Sequence, residues 1–148
     1  MNTGNTNKGI EHLNSFLRGE ISSVETYRQA LDKIQDPRVR NELQNILRSH
    51  QERTDLLRLR IVELGGNPVG TSGAWGAFAK LVEGAGAVFG VGPALSALKQ
   101  GEDHGLNDYR RDLGDLDPVS QELVRSRILP EQERTYRAIV NLQQTVPA

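Results

Sequence analysis

The chain has 148 residues, 25% of them charged, with a formal net charge of −1 and no cysteine. That length suits one domain burying about two-thirds of its unfolded surface, and the balanced charge supplies no field to draw in nucleic acid or anionic lipid. Without cysteine there are neither disulfides nor thiolate metal sites.

Residues 1–8 are polar, rich in Asn, Thr and Gly, and lack the apolar run of a signal peptide; they read as a flexible N-terminus. The most apolar region, 74–98, is broken by Lys80, Glu83 and Pro93 and makes a poor spanning helix. A soluble, cytoplasmic protein without nucleic-acid or membrane partners is expected, with homo-oligomerisation left open.

A first helix is predicted over about 9–35. Ile10, Leu13, Leu17, Val24, Leu31 and Ile34 form a stripe with gaps of three and four once Glu20 and Tyr27 are included. Asp36-Pro37 ends it and starts a second helix over 37–64, because Asp caps free N–H groups and Pro suits the first helical position. The second seam runs Val39, Leu43, Ile46, His50, Leu57, Ile61 and Leu64, and Gly65-Gly66 supplies the stop. A long connection follows, with a short amphipathic helix predicted over 75–90 around Trp75, Phe78, Val82 and Phe89. The third helix, about 93–115, carries Leu95, Leu98, Glu102, Leu106, Tyr109 and Leu113. Asp117-Pro118 opens the fourth, 118–144, with the seam Val124, Ile128, Glu131, Thr135, Ala138 and Leu142. Pro130 predicts a tolerated bend. His12 and His104 fall off the seams and read as solvated, as do Glu25, Glu52, Asp103, Asp108 and Glu133.

The two halves echo one another. Gly19-Glu20, Tyr27 and Arg28 return 82 residues later as Gly101-Glu102, Tyr109 and Arg110. Asp36-Pro37 returns 81 later, and so does Gln51-Glu52-Arg53-Thr54, as Gln132-Glu133-Arg134-Thr135. Two helical hairpins joined by a crossover make an all-α up-down four-helix bundle, residues 9–146 forming a single domain.

Four seam positions are polar: Glu20, His50, Glu102 and Glu131. Counted from the Asp-Pro turns they lie 16 residues before, 14 after, 15 before and 14 after, so at about 1.5 Å per residue they share one depth. Buried charge there costs several kcal/mol unless it is neutralised. Arg53 and Arg134 turned inward would do this in part; turned outward, they leave a set suited to iron, manganese or zinc.

Leu13-Asn14, Gly19-Glu20, Tyr27 and Glu102 give residues 10–144 a pattern that resembles the ferritin-like superfamily, most closely a bacterial branch of small ferritin-like bundles. The resemblance implies a Glu from each hairpin's first helix and a Glu-x-x-His from its second. Glu20, Glu102 and Glu131 carry over as ligands and His50 would be an exchanged one. The frames His50-x-x-Arg53 and Glu131-x-x-Arg134, or Glu52-x-x-Asp55 and Glu133-x-x-Tyr136, keep neither histidine. Tyr27 and Tyr109 would stand two turns from the ligands. The implied cofactor is iron or another divalent metal, and the implied activity is iron oxidation, storage or peroxide handling. The alternatives are a metal-free scaffold or stress-related interaction protein neutralised by Arg53 and Arg134, and a partner-binding module using 75–89.

Overall fold

The computed structural model describes residues 3–73 and 91–146, and among them the regular elements are all helical. Helix α1 spans Thr3–Lys33, α2 Pro37–Glu63 and α3 Val91–Asp112. After a 3₁₀ turn, Leu113–Asp115, the fourth helix is built from α4 (Pro118–Leu123), a π turn (Val124–Ile128) and α5 (Leu129–Thr145). The expected tail over 1–8 is instead helical from Thr3, since a nucleated helix extends by one bond per residue at little cost. The predicted crossover helix, 75–90, and its Trp75 lie outside the described residues.

Local chemistry sets the hairpin ends. Asp36 Oδ1 accepts from the Arg38 and Val39 N–H groups at 2.9 and 3.1 Å, with Pro37 in the first turn. Asp117 accepts from the Ser120 N–H at 3.1 Å, and Arg60 of α2 donates to Asp117 and Ser120, tying the second helix to the start of the fourth. Helix α2 closes on Gly65 at φ 82°: the Gly66 N–H reaches Ile61 O and the Gly65 N–H reaches Val62 O, the paired bonds of a left-handed glycine stop. The chain then runs along α1, where Asn14 bonds the backbone of Asn67 and Val69 and Ser72 donates to Glu25.

The fourth helix holds the main departure from the expected seam. In the π turn the Leu129 N–H reaches back five residues to Val124 O, which places one extra residue in the turn. Buried positions before it match α2 at an offset of 81: Val39 with Ser120 and Leu43 with Val124. Beyond it the offset is 82: Ile46 with Ile128, His50 with Gln132, Arg53 with Thr135 and Leu57 with Ile139. One added residue rotates everything downstream by about 100°. Pro130 follows the π turn directly within one continuous helix, so its missing N–H leaves a carbonyl one turn back without that donor.

Two apolar clusters fill the bundle. One joins Tyr27, Leu31, Ile34, Val39, Leu43, Ile46, Leu95, Leu98, Ile139 and Leu142; the other joins Leu13, Phe16, Leu17, Leu57, Ile61, Tyr109, Leu116, Val124 and Ile128. Between them lies a layer of buried polar side chains.

Candidate functional site: a buried ionic layer

Glu20 from α1, His50 and Arg53 from α2, Glu102 from α3, and Gln132 and Thr135 from α5 are all at most 3% exposed. His50 sits at the centre. Its Nδ1 lies 2.6 Å from Glu20 Oε2 and its Nε2 lies 2.8 Å from Glu102 Oε1. Both ring nitrogens face carboxylate oxygens, which only accept, so the arrangement requires the doubly protonated imidazolium.

The tyrosines close the carboxylates crosswise. Tyr109 donates to Glu20 Oε1 at 2.6 Å and Tyr27 donates to Glu102 Oε1 at 2.7 Å, each from the other hairpin. Gln132 Nε2 and Thr135 Oγ1 both donate to Glu102 Oε2 at 2.9 Å. Arg53 Nη1 donates to Gln132 Oε1 and, at 3.4 Å, to Glu20 Oε1; Nη2 donates to Ser49 Oγ at 3.1 Å and Thr135 Oγ1 at 3.0 Å. Every carboxylate oxygen of the layer thus has a donor.

The protonation states follow. Burial works to raise the Glu20 and Glu102 carboxyls, but Arg53 and His50 outweigh it and hold both below the ordinary range. Burial and then Arg53 push His50 down, and Glu20 with Glu102 more than reverse this, leaving its pKa raised. Tyr27 and Tyr109 are driven well above the usual phenol value by burial and by the carboxylates they serve, so they stay protonated donors. Two negative and two positive charges make the layer neutral.

Glu131 and Arg134 do not join it. The phase change turns Gln132 and Thr135 inward and leaves this pair at the rim, where Arg134 grips both Glu131 oxygens at 2.8 and 2.9 Å. Glu131 keeps one indirect link, accepting from Ser49 Oγ at 2.8 Å, and Arg134 with Ser49 lowers its carboxyl to about 2. Of the two arginines expected to neutralise the layer, only Arg53 does so. Gln132 was invisible from the seam because its phase depends on the π turn. Its neighbour Gly105 is the clearer sign: a Cβ there would lie 2.7 Å from Gln132 Nε2.

The donors can be set against the metal that the resemblance implies. In the structural register the second-helix frames are His50-x-x-Arg53 and Gln132-x-x-Thr135, so two carboxylates remain, both saturated. A guanidinium and an imidazolium lie against them. This set does not fit a di-metal centre.

Another group of possible ligands lies at the far end of α3. Half-buried His12 has Nδ1 3.4 Å from Asp112 Oδ2 and Nε2 3.5 Å from Asp115 Oδ2, and one ligand atom from each residue falls within a 4.8 Å cluster. Arg111 already holds both Asp112 oxygens at 3.0 Å. The expectation of a solvated His12 fails because Asp112 and, from the 3₁₀ turn, Asp115 lie against its two ring nitrogens. Among the described residues no helix is long and apolar enough to cross a membrane.

The bundle is ferritin-like. It superposes with a TM-score of 0.67 on a crystal structure of "ferritin like, diiron-carboxylate proteins from Bacillus anthracis str. Ames", over 98% of this chain and 96% of that one. Identity is 16%, so the likeness speaks for the fold alone. No curated protein matches the chain. The family model described as "Domain of unknown function (DUF2383)" matches residues 8–115, from α1 to the 3₁₀ turn.

Proposed function

We propose a scaffold role for this chain, which belongs to the DUF2383 family: a ferritin-like bundle whose middle is held together by its own ions rather than by a metal pair. The observation that carries the reading is Arg53, 1% exposed, with its guanidinium bonded to side chains from three helices. A buried charge of this kind is retained where it fixes register and helix pairing. The working surface of such a scaffold is its exterior, where Leu59, Val62 and Val119 are each about 60% exposed. The test is metal analysis of protein exposed to ferrous iron and then dialysed. Retained iron that disappears in Glu20→Ala/Glu102→Ala would overturn the scaffold reading.

A second reading, iron or another divalent metal with oxidation, storage or peroxide chemistry, draws support from a different place. His12, Asp112 and Asp115 offer one imidazole and two carboxylates, a set that hard and borderline divalent ions accept. The structural neighbour is itself described as a diiron-carboxylate protein. Iron retention abolished by Asp112→Asn/Asp115→Asn, with Glu20→Gln/Glu102→Gln unaffected, would favour this reading.

A further inference from the structure

An open groove runs between α2 and the fourth helix, and charge is divided across it. Glu52 and Asp55 stand on its α2 edge and Arg127, from the π turn, on the opposite edge, with Leu56 and Leu59 as apolar lining. Ser49 bonds Glu131 and Arg60 bonds Ser120, so the two helices are antiparallel and Arg127 stands at the depth of Glu52 and Asp55. Among the described residues none of these three charges has an ion-pair partner, whereas Glu131, in the same groove, is held by Arg134. Leu59 is 60% exposed, and Val62, one turn further along α2, is 58% exposed.

A face with acid on one side, base on the other and apolar residues beside them is its own complement. A half-turn about an axis lying in the contact plane, along the groove, brings a second copy face to face with the first. Each side of the groove then meets the opposite side of the other copy. Glu52 and Asp55 of each copy come against Arg127 of the other, twice over, while Leu56 and Leu59 lie inside this charged rim. A wholly basic or wholly acidic partner would set like charges against one edge. We propose that this groove binds a second copy of the chain, related by a two-fold axis along it. The inference rests on the scaffold reading, in which the exterior is the working surface, and names what that surface meets.

Sedimentation equilibrium of the full chain tests it. Wild type should show twice the chain mass at high concentration and dissociate on dilution. Glu52→Lys/Asp55→Lys and Arg127→Glu each set like charges face to face, and each should raise the dimer Kd at least about tenfold. Mixed in equal amounts, the two variants should regain the wild-type association, because each carries the charges the other lacks. Recovery on mixing also shows that neither variant has lost its fold. A wild type that stays monomeric leaves the groove to another partner and overturns the inference. So does a dimer that both reversals leave intact, or one that mixing fails to restore. None of these outcomes touches the scaffold reading, which falls only to retained iron that depends on Glu20 and Glu102.

Discussion

Arg53 donates to Thr135 at 3.0 Å, and the two residues stand 82 positions apart, the same spacing that separates Glu20 from Glu102 and Tyr27 from Tyr109. Matched positions of the two hairpins therefore meet face to face across the middle of the bundle. The contact forms only because the π turn has already added its residue upstream.

The layer should be far more sensitive at its centre than at its rim. Glu20→Ala strands the Arg53 guanidinium and the His50 imidazolium in an apolar surround, and the expected loss is about 3–5 kcal/mol. Glu131→Ala removes a half-exposed pair with Arg134 and should cost less than about 1 kcal/mol. Urea titration of the two variants checks the contrast. Equal losses would mean that Glu131 belongs to the layer.

Stability should have a plateau on the acid side of neutral. His50 has a raised pKa in the fold, so its contribution is complete below the ordinary 6.5 and is lost as pH rises through the folded value. Glu20 and Glu102 are lowered, so theirs is complete above the ordinary 4.5 and is lost as pH falls through the folded values. The melting midpoint should thus be highest between pH 4.5 and 6.5. His50→Gln should flatten the alkaline arm, and an unchanged arm would place its origin elsewhere.

Gly105→Ala tests the packing of Gln132. The new methyl would meet Gln132 Nε2 at 2.7 Å and push the amide off Glu102, leaving a buried carboxylate oxygen and a guanidinium each short of one partner. A loss of about 1–3 kcal/mol is expected. Gly19→Ala, within α1 and with nothing inside 4 Å, is the matched control and should gain about 0.5–1 kcal/mol.

Much of this architecture was legible in the chain. Asp36-Pro37 and Asp117-Pro118 state their roles outright, since a capping carboxylate followed by a ring without an N–H has few other uses. Glu20 and Glu102 were readable as buried because a charged residue standing in an apolar stripe has to be solved by the fold. Glu131 was misplaced for a physical reason: a seam read with gaps of three and four presumes an unbroken α-helix, and the π turn breaks that premise. The echo of Gln51–Thr54 in Gln132–Thr135 strengthened the error, for it keeps the letters at 81 while the fold pairs positions at 82.

Removing one residue from the π turn, for instance Arg125, should cost far more than altering Pro130. The deletion restores the spacing that α2 shows from Val39 to Leu57, so the buried residues on both sides keep their face, but it sets Pro130 inside an unbroken α-helix, a cost of about 3 kcal/mol. Pro130→Ala should gain about 1 kcal/mol, because it supplies an N–H to a helical carbonyl one turn back. Circular dichroism melts of both variants separate the two effects.

The π turn also decides which side chains make up the interior. Were Val124–Ile128 wound as ordinary α-helix at the same chain length, Glu131 and Arg134 would replace Gln132 and Thr135 as the residues that look inward. Two uncharged partners would give way to an acid and a base at once, without any change in the letters themselves. In this bundle the length of one turn governs the chemistry of the centre as strongly as the identity of any side chain in it.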